Sequence, residues 1–418
     1  STRRDVKPTE SELQRMESTL EEALKCGYLG LSTMSLKWDK VDGDRAWSKS
    51  LPSTYARWRE VRRLNALLRR YNRVHQGAPN AANPFQILEF LAETIGWLLR
   101  KPLKTTLIAL IDLKGNKTVK PMAQLAGAVA NGLGGNFRWQ LLPTPFTVYA
   151  EGIDVVFFEE FGAGEMALDL RNQVERNALL KDESYRRNFR KFYGEKLSPR
   201  VWQRDFGDAL ILECPDQSLV GKNFAQVAQQ RGIHVVDLFL DLVVQFGKTI
   251  RWVTTVGNHK PEVVRQLVQN KHTLITFSDA GAHIRNMAFY NLPLRFLKLV
   301  HDNQQAGRPV MSIEKAVWRL TGEQADWFGI EAGKLRVGDR ADVVVINPQA
   351  LQQNLETVHW AEMENFDLQR LVNRNPGIVE HVLINGKVAV SHGEVSSELG
   401  RTPGYGQFLP VVSHKALA

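Results

Sequence analysis

The sequence predicts an α/β protein in which parallel strands alternate with crossover helices, followed by a smaller β segment at the C-terminus. Three observations predict it. Helical and strand patterns alternate over residues 9–142 and again over 235–278, one charged helical stretch interrupts them, and from Gly333 the pattern changes to short β runs around an Asn-Gly turn. Of the 418 residues, 43% are hydrophobic and 24% charged, which supplies a globular core and excludes a disordered chain.

The elements follow in order. Thr9 and Glu12 form a capping box ahead of Leu13, Met16, Leu20 and Leu24 at helical spacing, and Gly27 stops that helix. Leu29–Met34 reads as a short buried strand. The unit then repeats: helix Arg57–Tyr71 into strand Arg73–Gln76, helix Pro84–Arg100 into Thr105–Leu113, and helix Val119–Ala130 into Phe137–Leu142. A charged helical segment near 165–198 reads as an insertion over one end of the scaffold. Alternation resumes with helix Val235–Phe246, strand Arg251–Val256, helix Pro261–Asn270 and strand Thr273–Ser278, then a helix with Ser312 as N-cap. Strand Ala341–Ile346 and a hairpin about Asn385-Gly386 make the tail β structure, so the chain divides into 1–332 and 333–418.

Charge and cysteine usage exclude several classes. Cys26 and Cys214 make neither a disulfide framework nor a thiolate metal site, and they suit a reducing, cytoplasmic compartment. No apolar run reaches the length of a membrane span, and no signal peptide opens the chain. The net charge of +9 is spread along the sequence, with local concentrations at Arg59–Arg73 and Arg186–Lys196; the first interleaves with Leu64, Leu67 and Leu68 as an amphipathic helix with a solvated face, which argues against nucleic acid as partner. Gly132-Leu133-Gly134-Gly135 lacks the spacing of a phosphate loop. Glu159 and Glu160 are adjacent, so along a strand they point to opposite faces and make a poor acid–base pair.

The chemistry concentrates on Asp279. A buried-strand pattern, Leu274–Phe277, ends in Ser278-Asp279-Ala280-Gly281-Ala282-His283. A carboxylate at the C-terminal end of a parallel strand either binds a metal and moves a proton or caps the next helix. The motif resembles the eighth-strand motif of the amidohydrolase superfamily, in its D-aminoacylase (N-acyl-D-amino-acid deacylase) branch. Ala316–Thr321 with Ala325–Ile330, Gly333–Val345, Val382–Val388 with Gly393, and Glu22–Thr33 are similar to further segments of that branch.

The resemblance implies a TIM-type (β/α) barrel with a small C-terminal β-sandwich segment. It implies one or two divalent metal ions, zinc foremost, and a small N-acyl substrate whose linear amide C–N bond is hydrolysed. Asp279 is then the general base and acid as well as a metal ligand. His75, at the end of a fifth strand, is either a ligand or a structural histidine. Asp112, where the branch has a sixth-strand histidine, is either a ligand or a turn residue. His283 lines the pocket, Arg285 grips a substrate carboxylate or is solvated, and His259 orients substrate or caps a helix.

The departures are equally specific. The branch's first-strand His-x-His occurs nowhere in this chain, nor does its second-strand Asn-Cys-Gly segment. The fourth-strand segment lies within the first 35 residues, so the resemblance implies that the barrel is incomplete at its N-terminus, its first strands preceding residue 1. The alternative is a protein without a complete metal site that serves as an inactive scaffold or binding partner. Assembly into a homo-oligomer is left open by the sequence.

Overall fold

The computed structural model describes residues 7–36, 40–41, 47–79, 84–96, 100–195, 200–279, 281–364 and 368–411. Helix α1 (Glu10–Lys25) starts at the Thr9–Glu12 capping box, with Thr9 N donating to Glu12 Oε2 at 2.7 Å, and ends before Gly27 at φ +95°. Strand β1 (Gly30–Met34) follows. Helix α2 (Trp58–Arg70) buries Val61, Asn65, Leu67 and Leu68 along one face and leads into β2 (Val74–Ala78). The same unit recurs as α3 (Pro84–Ile95) with β3 (Lys104–Leu110), and α4 (Val119–Gly132) with β4 (Asn136–Leu141). These strands pair in parallel, Gly30 opposite Val74, Val74 opposite Lys104 and Lys104 opposite Asn136. The last residues of the expected helix 84–100 include 97–99, which lie outside the described residues.

The insertion differs from expectation. It begins directly after β4 and contains β5 (Phe146–Glu151), β6 (Leu210–Glu213) and β7 (Arg251–Gly257), an antiparallel sheet in the order β5-β7-β6. The run at 251–256, read as a return to the parallel alternation, is therefore the centre of this second sheet. The physical reason is that a short apolar run does not encode the direction of its partner. In β7 alternate residues Trp252, Thr254 and Val256 are deeply buried, followed by the buried Gly257. Trp252 packs within 6.4 Å, centroid to centroid, of the rings of Phe157, Phe158, Phe206, Phe224 and Phe239. Helices α5 (Gln173–Lys181), α6 (Glu183–Gly194) and α7 (Val235–Phe246) cover this core.

The chain then returns to the parallel sheet as β8 (Thr273–Leu274), with Thr273 opposite Trp139. The expected strand 273–278 keeps ladder pairing only over its first two residues, although Phe277 N still donates to Leu141 O at 3.3 Å. The sheet order is β1-β2-β3-β4-β8, and among the described residues it is an open sheet with β1 and β8 as its edges, not a closed barrel. Helices α8 (Leu292–Gln305), α9 (Ile313–Leu320, capped by the Ser312 hydroxyl) and α10 (Gly322–Phe328) follow. The tail contains β9 (Val343–Ile346), the hairpin of β10 (His359–Met363) with β11 (Leu368–Val372), and β12 (Val379–Ile384), β13 (Lys387–Ser391) and β14 (Glu394–Val395). Strands β9, β12, β13 and β14 form one antiparallel sheet. Asn385 (φ +51°) and Gly386 (φ +79°) turn β12 into β13, at positive φ angles that asparagine tolerates and glycine, lacking a Cβ, adopts freely. No helix among the described residues is long and apolar enough to cross a membrane.

Candidate functional site

Asp279 lies beyond the C-terminal end of the parallel sheet, in a left-handed backbone conformation (φ +47°) that aspartate tolerates better than most residues. Its carbonyl accepts from Ala282 N and His283 N, both at 3.3 Å, and the His283 carbonyl accepts from Asn286 N and Met287 N. Ala280, within the motif, lies outside the described residues. The loop is clamped to the inserted sheet: Asn286 Nδ2 donates to Tyr149 O at 2.8 Å and to Asp154 O at 3.2 Å, while Tyr149 N donates to Asn286 O. The Arg285 guanidinium pairs with Glu151, a buried carboxylate that also takes Arg251 at 3.3 Å.

A cleft of about 510 Å³ opens where this loop meets the insertion. Ala282, His283 and Arg285 line one side, and Glu151, Glu159 and Lys40 the other. Lys40 Nζ stands 3.0 Å from Glu165, 3.4 Å from Glu159 and 3.7 Å from Asp169. Burial alone would lower the Lys40 pKa, and the three carboxylates outweigh it and raise it. Burial pushes the Glu159 carboxyl up to about 7, against the pull of Lys40. Sequence reasoning set Glu159 aside as a poor acid–base pair with Glu160 and did not single out Lys40. Glu159 and Glu160 sit on a 3₁₀ turn (Val156–Glu160), not on a strand, and Glu160 meets Val201 N and Arg204 instead. The missed signal was long-range: Lys40 is 119 residues from Glu159, and local spacing cannot report their contact.

The structure brings two of the predicted residues together. Asn258 N donates to Asp112 O and Asp112 N to Asn258 Oδ1, both at 2.9 Å, which stitches the chain after β3 to the end of β7. His259, the next residue, has its pKa lowered by burial and then by Lys114 and Lys260, against the opposing pull of Asp112 and Asp208. Lys114 Nζ is 2.6 Å from Asp208, and the Asp112 carboxylate is 3.4 Å from Lys120 on α4.

His75 is not where the sequence suggested. It is the second residue of β2, a strand that runs on to Ala78, so it does not stand at the strand's end. Its ring is fully buried against Phe90 of α3 (centroids 5.2 Å), and Nε2 lies 2.9 Å from Thr33 Oγ1. Gly77, two residues on and hence on the same face, also meets Phe90. His75 thus points into the helix layer. Burial drops its pKa to about 4, so it is neutral near pH 7.

A bound divalent ion needs three or more converging donors. Among the described residues no group of three His, Cys, Asp or Glu side chains is placed to hold one. His75 faces the helices, Asp112 is neutralised by Lys120, and neither joins Asp279 in such a group. The donors described here therefore do not fit a complete metal site.

The architecture has solved counterparts. A structure of D-aminoacylase, described as defining a novel subset of amidohydrolases, matches 93% of this chain and 65% of its own at 17% identity, with TM-score 0.51. A second, from work on the binuclear metal centre of D-aminoacylase, matches over the same shares at 18% identity and TM-score 0.51. The chain has the D-aminoacylase fold. Uncharacterized proteins of Mycobacterium tuberculosis and Mycobacterium bovis are 46% identical to it over 407 residues, 96% of this chain. The chain spans 66% of the length of these relatives. No protein-family model matches it. Within the D-aminoacylase fold, the five parallel strands and the loop after β8 are the part that carries Asp279.

Proposed function

We propose that the protein hydrolyses a linear amide C–N bond, with an N-acyl amino acid or a related N-acyl compound as substrate. The observation that carries this reading is the position of Asp279, beyond the C-terminal end of the parallel sheet on a loop bordering a polar cleft, in a chain with the D-aminoacylase fold. In this reading the Asp279 carboxylate takes a proton from the attacking water as the C–O bond forms. It returns that proton to the leaving amine as the C–N bond breaks. His283 and Arg285 border the space for the amino-acid portion, with Arg285 held in place by Glu151. Zinc or another divalent ion belongs to the reading, with Asp279 as its donor from this loop and the remaining donors outside the described residues.

A second reading rests on a separate observation, the absence of a three-donor group among the described residues. In it the fold is retained as a catalytically inactive scaffold that binds a partner. Metal analysis of the purified protein separates the two. The enzyme reading expects stoichiometric divalent metal, together with release of free amine from N-acyl-D-amino acids that stops on chelation. Metal-free protein that stays folded and releases no amine, even with zinc added, contradicts it.

A further inference from the structure

A second groove lies away from Asp279, along α2. It has a volume of about 700 Å³, and its walls are five arginines of α2 together with Arg100 and Lys101 from the turn before β3. Ala66 is the one uncharged side chain among the described residues of the lining.

Part of this charge is matched. Arg63 pairs with Glu10 at 2.8 Å and Glu17 at 2.7 Å, and Arg70 meets Glu21 at 3.3 Å. Glu93, its side chain only 5% exposed, is shared by three guanidiniums: Arg69 at 2.9 Å, Arg62 at 3.3 Å and Arg100 at 3.6 Å. Among the described residues seven cations thus stand beside four ion-paired carboxylates, an excess of three. Arg59 and Lys101 form no ion pair with a described residue. Like charges three and four residues apart on a helix repel one another, so the excess is a cost that an anion would relieve.

We propose that this groove binds a linear oligophosphate. The cations of α2 recur at i, i+3 and i+4, about 5–6 Å apart, and run for about 16 Å from Arg59 to Arg70. Such a row suits an extended chain of negative charges better than a single anion. Arginine adds planar donors that match phosphate oxygens in pairs. Among the described residues the lining contains no aromatic ring on which a base could stack, which favours phosphate alone over single-stranded nucleic acid.

The probe is inorganic tripolyphosphate, with its dissociation constant measured calorimetrically at moderate salt beside orthophosphate and a short oligothymidylate. Tripolyphosphate should bind at least about tenfold tighter than either and raise the unfolding temperature. The double variant Arg59→Ala/Lys101→Ala removes the two cations without ion pairs among the described residues. It should weaken binding by about tenfold or more while leaving the ligand-free unfolding temperature unchanged or higher. The distant double variant Arg187→Ala/Lys191→Ala lowers the net charge equally and should bind as the parent does. Equal binding of orthophosphate, equal or tighter binding of the oligonucleotide, or equal loss in the distant variant would overturn the proposal.

Discussion

The two faces of the parallel sheet are built for different work. On the side that meets α3 and α4, Leu107, Phe137, Trp139 and Leu141 are buried almost completely beside Phe90. On the other side, the register aligns Ser32, Gln76, Thr106 and Arg138, with Gln140 two residues further along β4. There burial holds the Lys104 ammonium and the Arg138 guanidinium below their usual pKa values. A parallel strand packed on both faces by apolar layers reads as a continuous hydrophobic run. Strand β4 alternates instead, burying Phe137, Trp139 and Leu141 and leaving Asn136, Arg138 and Gln140 half-buried, so there one face provides most of the cohesion.

That contrast can be broken by mutation. Phe137→Ala should cost about 3–5 kcal/mol in urea unfolding, because it empties a site with no exposed surface. Gln140→Ala, three residues along the same strand and on the other face, should change stability by less than about 1 kcal/mol. Comparable losses would show that the two faces share the load.

The next effect is one of pH. His75 lies on the apolar face with its pKa down at about 4, against an ordinary 6.5. Between those values the unfolded chain takes up a proton that the folded chain refuses. The stability present above pH 6.5 is therefore lost as the pH falls toward 4, by roughly 3 kcal/mol for this group. Glu159 and Glu160, both pushed up to about 7, act in the opposite sense and lose stability as the pH rises from 4.5 to 7. The measurement is thus a difference: stability against pH for the parent and for His75→Gln. The variant should lack the one-proton dependence between pH 4 and 6.5, and identical profiles would mean that His75 is protonated in the folded chain.

The smallest effect is local. Thr9→Ala removes the N-cap of α1 and should cost about 1 kcal/mol, read from the unfolding midpoint.

Much of this was legible in the sequence where the signal is local. The Thr9–Glu12 box, the glycine stop at Gly27 and the Asn385-Gly386 turn each depend on a few adjacent residues, and each is where the pattern put it. The resemblance carried by Ser278–His283 led to the D-aminoacylase fold. What was not legible depends on distant partners. The run at 251–256 carries no mark of an antiparallel neighbour, and His75 carries none of the Phe90 ring that turns it toward the helices. Lys40 and Glu159 meet only because the insertion folds back over the strand ends.

The central claim is that Asp279 moves the proton in amide hydrolysis, and its most direct test is the rate of amine release from N-acyl-D-amino acids by the metal-supplemented protein and by Asp279→Asn. The account predicts a loss of at least about 10²-fold in kcat with an unchanged unfolding temperature. Equal rates for the two proteins would contradict it.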